Sequence, residues 1–195
     1  MAPKNTTDNW ESFFARTQSL PEKKHTESFL KWIPANGRIL DYGCGTGRWA
    51  VAFSRDRPDL TIDVLDQHLD KALLIPTHWK GEKLHTDFND FNPTKTYDGI
   101  WAFATLFFLP KKVLKQKMHA LAGALNPGGV IQFTMVADCP AANSQKFTGM
   151  NKKEILSMLE KENFTLLSLK LNKSVEYGLI KRKIPTFYIT ARKTS

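Results

Sequence analysis

The sequence predicts an α/β protein, a three-layer α/β/α sandwich around a mostly parallel sheet, and three observations carry that prediction. Strand-like and helix-like periodicities alternate along most of the chain. A glycine-rich loop joins the first strand of that series to a helix, as in doubly wound sheets. The last two strand-like segments have no helix between them, so they should be antiparallel neighbours. With 195 residues, 42% of them hydrophobic and including 13 Phe, 5 Trp and 4 Tyr, the chain can fill one core. We expect a single domain over 1–195, with 1–34 as an N-terminal helical lid and 35–195 as the core.

Taken in order, Ser19 and Glu22 have capping-box spacing and Pro21 suits a first helical turn, so a helix is predicted over 21–32, stopped by Pro34 and Gly37. A strand at 38–42 leads through the glycine loop into a helix after Gly47, with Trp49, Ala52 and Phe53 available to one face. Strand 60–65, helix 69–75, strand 83–86 and strand 99–103 continue the alternation. Leu114, Met118, Leu121 and Leu125 recur at helical spacing over 111–125, and Asn126, Pro127, Gly128 and Gly129 read as a turn before a buried strand at 130–136. Residues 137–149 read as irregular loop. Asn151 with Glu154 opens a capped helix ending near Asn163, and strands at 164–171 and 184–191 close the sheet.

Composition removes several functions. The apolar run 100–109 is far short of the roughly 20 residues that span a bilayer. The N-terminal MAPKNTTDNWE has no apolar signal core, so the expected compartment is the cytoplasm. Cys44 and Cys139 form neither a disulfide framework nor a metal motif, and His25, His68, His78, His85 and His119 lack ligand spacing, so no metal is expected. The net charge of +9 is uneven: residues 1–110 carry 13 basic and 14 acidic side chains, residues 111–195 carry 15 and 5. Such a surplus can serve nucleic acid, but Lys111, Lys112, Lys115 and Lys117 fall on exposed turns of a predicted helix, where a solubilising role suffices.

The chemistry concentrates in ILDYGCGTGR, residues 39–48. The strand delivers Asp41, and Gly43, Gly45 and Gly47 let the backbone turn and approach a ligand at the carboxyl end of the sheet. The third glycine and Arg48 break the dinucleotide pattern, and no GK[ST] follows to cradle a phosphate. Asp66, 23 residues after Gly43, ends the second strand where a carboxylate can accept ribose hydroxyls, with Asp63 a weaker candidate. Asp87 and Phe88 follow the third strand, where an acid and a ring can take an adenine. A site of this kind fits a cofactor with ribose, adenine and a positive centre but no phosphate.

Together with YDGIWAFATL at 97–106 and ALNPGGVI at 124–131, these motifs resemble class I S-adenosylmethionine-dependent methyltransferases over residues 35–135. They are most similar to the small bacterial branch with tellurite-resistance and thiopurine-methylating relatives. The resemblance implies a Rossmann-like sheet of order 3-2-1-4-5-7-6 with strand seven reversed, S-adenosyl-L-methionine as cofactor and S-adenosyl-L-homocysteine as product. It implies that Asp41, Gly43, Gly45 and Gly47 line the methionine and ribose side, that Asp66 holds the ribose, that Asp87 and Phe88 bracket the adenine, and that Phe103 and Ala104 approach the sulfonium.

Arg16 is a candidate partner for the methionine carboxylate. Phe108 stands where such enzymes often carry a histidine, and Trp49 follows Arg48 where they often have Asp. No catalytic residue is assigned; Asp138, Cys139 and Tyr42 are candidates. Trp10, Phe13 and Phe14 suit either a lid or a docked terminal helix. The expected function is methyl transfer to a small molecule. RNA or protein methylation, for which FATL at 103–106 lacks the [DN]PP[FYW] pattern, a non-catalytic cofactor-binding protein and a dehydrogenase are the alternatives.

Overall fold

The structure, a computed structural model, describes residues 15, 17–87, 90–144, 147–176 and 183–194. Strands β1 (Arg38–Tyr42), β2 (Thr61–Asp66), β3 (Lys83–His85), β4 (Tyr97–Ala102), β5 (Leu125–Val136), β6 (Phe164–Glu176) and β7 (Lys183–Lys193) form one sheet. Their order is β3-β2-β1-β4-β5-β7-β6, the order the resemblance implies. The first five strands pair parallel, and β7 lies antiparallel to both β5 and β6. Helices α1 (Lys23–Leu30), α2 (Arg48–Asp56), α3 (Lys111–Ala124), α4 (Pro140–Ser144) and α5 (Lys152–Lys161) flank it.

Strand alternation divides the hydrophobic residues between two cores. Ile39, Ile62, Val64 and Trp101 face α1 and α2, burying Phe29 and Phe53; Leu40, Ile100, Ile131 and Phe133 face α3 and α5, burying Leu114, Met118 and Ile155. Each large side chain so buried is worth about 1.5–3 kcal/mol, and together they hold the layers on the sheet.

Several local expectations give way. α1 starts at Lys23 with Glu22 at its N-cap and no side-chain cap, so the Ser19 box is not used. The helix expected over 69–75 is only a 3-10 turn, Leu69–Lys71. Pro76 follows directly, and so short a segment cannot offset the cost of helix nucleation. The turn expected at 126–129 lies within β5 as an irregularity: Tyr97 pairs with Leu125 and Gly99 with Val130, leaving four residues opposite Asp98. Asp98 accepts from Asn126 Nδ2 at 2.9 Å and from the Arg38 N–H at 2.8 Å, joining three segments rather than only starting a strand.

The 137–149 loop contains α4. Lys117 is buried, its ammonium donating to the Phe91 carbonyl at 2.8 Å, because it falls beside Met118 on the inner face of α3. The box on α5 forms as expected: Asn151 Oδ1 accepts the Glu154 N–H and Glu154 Oε2 accepts the Asn151 N–H, both at 3.0 Å.

Candidate functional site

The carboxyl ends of β1, β2 and β4 meet at the glycine loop. Gly43, Gly45 and Gly47 have φ of +83°, +54° and +81°. The Gly43 and Cys44 N–H groups both donate to the Leu65 carbonyl, at 2.8 and 2.9 Å, which fastens the loop to the end of β2. A Cβ on Gly43 would lie 2.3 Å from Thr105 Oγ1, and one on Gly47 2.3 Å from Ile75 Cγ1. Left-handed backbone and close approach both demand glycine here.

Gly47→Ala is therefore expected to cost about 3 kcal/mol, from left-handed strain of about 1–2 kcal/mol and overpacking of about 1–3 kcal/mol. Urea unfolding measures it. A cycle with Ile75→Ala should show coupling of at least about 1 kcal/mol, because the smaller side chain relieves the overlap but not the strain. Additive costs would refute the clash.

Asp41, on β1, is 1% exposed. The Ala50 N–H bonds the carboxylate, yet among the described residues its Oδ2 has no hydrogen-bond partner. Burial pushes the carboxyl up to about 8; the Asp66 carboxylate adds to this, while the Ala50 N–H and the Arg48 guanidinium oppose it. A buried acceptor of this kind, at the base of a glycine loop, is suited to a cationic ligand group.

Asp66 accepts the Gly45 N–H on Oδ2 at 2.9 Å and the His68 N–H on Oδ1 at 2.8 Å. Each oxygen keeps a lone pair, so the carboxylate is oriented by the backbone and still able to accept hydroxyls. Asp87 follows β3 in a turn closed by the Asp90 and Phe91 N–H groups on its carbonyl. The Asp41 and Asp66 carboxylates are both acceptors, suited to a ligand that brings a cationic group and hydroxyl donors. Phe88, Arg16, Trp10, Phe13 and Phe14 lie outside the described residues.

After β4 the chain passes through Phe103 to Ala104, which takes φ +57° while its N–H donates to Thr134 Oγ1 at 2.8 Å. An alanine in this region is strained by about 1–2 kcal/mol, here opposite the glycine loop. The Phe103 ring stacks on Trp101 at 5.4 Å and 6°, so its side chain joins the aromatic core, while Thr105 two residues on closes against Gly43.

Tyr42 is buried in the α3-side core, its phenol raised by burial and by Asp87, which removes it from the accessible candidates. Burial, then Asp41 and Asp66, raise the Cys44 thiol, so it is no nucleophile. Cys139 packs against the α3-side core and Asp138 is exposed. Asp63 is structural: fully buried, it accepts Arg38 Nη1 on both oxygens at 2.9 and 2.7 Å, the Tyr97 hydroxyl at 3.2 Å and the Glu82 N–H at 2.9 Å. Phe108, in place of a histidine, packs against Phe107 and Phe147 at 4.7 and 5.1 Å.

Sequence reasoning missed Thr105 and Ile75, which set the clearance of the loop, and Thr134, which holds Ala104. Each is an ordinary residue distant in sequence from its partner, and no pattern marks it. Among the described residues no group of three or more His, Cys, Asp or Glu is placed to hold a metal ion. Within the same limits no helix is long and apolar enough to cross a membrane.

The basic second half forms a groove of about 310 Å³ between α3 and α5, lined by Lys111, Lys115, Lys153 and Lys161 with Glu154 and Glu162. Lys111 bonds Glu154 at 2.5 Å and Glu162 bonds His119 at 2.8 Å, so part of that charge is offset locally.

Comparison with known proteins agrees with this architecture. The S-adenosyl-L-methionine-dependent Diels-Alderase iccD of Talaromyces variabilis is 28% identical over 139 residues, 64% of this chain and 45% of that protein. The chain spans less than half the length of the curated relatives it matches. The N-methyltransferase NodS of Bradyrhizobium japonicum WM9, crystallised with S-adenosyl-l-homocysteine, superposes with a TM-score of 0.73 at 17% identity, covering 98% of this chain and 100% of that one. TehB of Haemophilus influenzae superposes at 0.71 with 16% identity, covering 95% of this chain and 67% of that one. The profile of the methyltransferase domain family matches residues 14–172, and the chain belongs to that family.

Proposed function

We propose that this protein is an S-adenosylmethionine-dependent methyltransferase acting on a small molecule. The observation that carries the reading is the buried Asp41 carboxylate, whose Oδ2 has no hydrogen-bond partner among the described residues, beneath three left-handed glycines. In this reading Asp41 and the loop take the methionine end, with Arg16 on its carboxylate. Asp66 takes the ribose, Asp87 and Phe88 the adenine, and Phe103 and Ala104 border the sulfonium. The whole chain acts as a single domain, with the 137–149 loop and N-terminal segment selecting the acceptor. Membership in the bacterial tellurite-resistance branch is part of the proposal, supported by the superposition on TehB.

Bound S-adenosylmethionine supplies a methyl group on a sulfonium, already activated for displacement. The acceptor's lone pair forms the new bond to the methyl carbon as the carbon–sulfur bond breaks, its electron pair staying on sulfur, and any acceptor proton passes to water. The protein's task is to hold the two atoms in line and exclude water. A binding test comes first. S-adenosylmethionine and S-adenosylhomocysteine at a hundredfold excess over Kd should each stabilise the native state by about 2.7 kcal/mol, read as a rise in Tm, whereas NAD should give none. No shift with either sulfur compound would overturn the assignment.

A second reading, cofactor binding without methyl transfer, is favoured by the relative named as a Diels-Alderase and by Phe108 packed among rings where a base is common. Formation of S-adenosylhomocysteine with any acceptor would exclude it. Methylation of RNA draws support from the lysine-lined groove, and loss of acceptor affinity with added salt would favour it.

A further inference from the structure

The turn that carries Asp87 has little hold on the sheet through its own strand. β3 lies at one edge of the sheet, is three residues long and pairs with β2 alone. Lys83 and His85 are exposed and Leu84 is partly buried, so the strand brings little apolar area to the core. Beyond it the Asp90 and Phe91 N–H groups close on the Asp87 carbonyl at 2.9 and 3.1 Å. Those bonds shape the turn without attaching it to the sheet.

Attachment comes from β1 and α3. The Phe91 ring lies 6.1 Å from the Tyr42 ring, centre to centre, and Tyr42 immediately precedes Gly43. The Phe91 carbonyl accepts the Lys117 ammonium at 2.8 Å. Lys117 is 8% exposed, and this carbonyl is its one hydrogen-bond partner among the described residues. These groups share one face of the sheet: Tyr42 belongs to the α3-side core, Phe91 packs against that core, and Lys117 stands on the inner face of α3 with Leu114 and Leu121. Asp87 borders the same cluster, since after burial its carboxylate is what raises the Tyr42 phenol. A lysine is a costly occupant of such a position. Burying an ammonium is penalised, one carbonyl meets only one of its N–H donors, and a methionine of similar length would fill the core. What an apolar side chain cannot do is hold a carbonyl.

Resting on the reading under Proposed function, in which Asp87 takes the adenine, we infer that Lys117 is a positioning residue for the cofactor: its bond to the Phe91 carbonyl holds the turn after β3 where the Asp87 carboxylate meets the adenine amine. Lys117 acts through that turn and touches no ligand. Without the bond the turn keeps its internal closure, but the Phe91 ring alone sets its place against β1, and the carboxylate spreads over positions that miss the amine. Lys117 therefore governs selectivity for the base rather than the hold on the rest of the cofactor.

Calorimetry with S-adenosylhomocysteine and S-inosylhomocysteine tests this, the second compound carrying an oxo group in place of the adenine amine and so opposing the carboxylate with another acceptor. Failure of the native protein to bind S-adenosylhomocysteine would remove the underlying reading and this inference together, and equal binding of both compounds would remove the Asp87 assignment and the inference with it. The native protein should prefer the adenine compound by about a hundredfold, as expected for a hydrogen bond to a charged group. Lys117→Met keeps the apolar stem and should fold with a Tm within about 4 °C of native. It should bind S-adenosylhomocysteine about twentyfold more weakly and the inosyl compound within about twofold of native, leaving a preference of about fivefold. Lys117→Arg, which keeps a donor for the carbonyl, should retain the native preference within about threefold. In an Asp87→Ala background Lys117→Met should change neither affinity by more than about twofold, because it acts through that carboxylate. A Lys117→Met variant that keeps the native preference, loses both compounds equally, adds its full effect to Asp87→Ala or fails to fold would overturn this inference and leave the reading beneath it intact.

Discussion

Asp41→Asn is expected to make the free protein more stable at pH 7 while weakening its hold on S-adenosylmethionine. The carboxyl ionises near 3.8 in the unfolded chain and near 8 when buried. Between about pH 4 and pH 8 the folded state therefore keeps a proton that the unfolded chain has released. Stability is complete below the unfolded pKa and is lost as pH rises toward the folded one, at about 1.4 kcal/mol per pH unit. The amide does not titrate, so the variant should show no such slope and should be more stable than the native chain by about 4 kcal/mol at pH 7. Urea unfolding at several pH values checks this, and equal slopes for both proteins would refute it.

The proposed contact between Asp41 and the methionine ammonium adds a second signature. The ligand's charge favours the ionised carboxylate, so binding releases the proton and affinity should fall about tenfold per pH unit below pH 8. The Asn variant should lose that dependence and, at pH 8, bind about a hundredfold more weakly. Asp66 and Arg48 face the same carboxylate, and changing either should move the midpoint, upward without Arg48 and downward without Asp66.

Asp63→Ala should cost about 3 kcal/mol, enough to unfold a marginal domain at 37 °C. Asp63 is fully buried, and its removal strands the Tyr97 hydroxyl and the Glu82 N–H as well as Arg38. The Arg38 side chain is 35% exposed and finds water in part, which keeps the loss at the lower end of the range for broken buried pairs. Asp63→Asn should lose less, since it still accepts two of these bonds. Denaturant unfolding of both variants tests the order, and a loss below about 1 kcal/mol for Ala would show that the network adds nothing.

Most of the scaffold is legible in the sequence because its signals are local. Strand β1, helix α2 and the α5 cap arise from periodicity and capping chemistry within ten residues, and they fold as those rules require. The misread elements are those where a distant contact outweighs local preference. Residues 69–75 have helix-like spacing, yet Ile75 is drawn under Gly47 and Pro76 ends the segment. Residues 126–129 have every mark of a turn, yet the β4 partner absorbs them as an irregularity against Asp98.

The candidate site divides in the same way. Asp41 and Asp66 were readable from strand ends, because alternation and chain direction decide where a strand delivers its last side chain. That Asp41 would keep an unpaired oxygen, or that Asp63 would be consumed by Arg38 and Tyr97, depends on neighbours brought together from three strands. Neither outcome is written in one segment.

The position of β7 sets an order on assembly. It runs between β5 and β6, so β6 has no sheet partner, and β5 none on its outer edge, until residues 183–193 have been made. During synthesis the central parallel strands can already be joined, with β5 presenting an open row of backbone donors and acceptors and β6 waiting apart from it. This is the interval in which another chain could pair with that edge. Insertion of β7 closes it, and because Tyr188 arrives on that strand, its ring meets Phe103 in the same event.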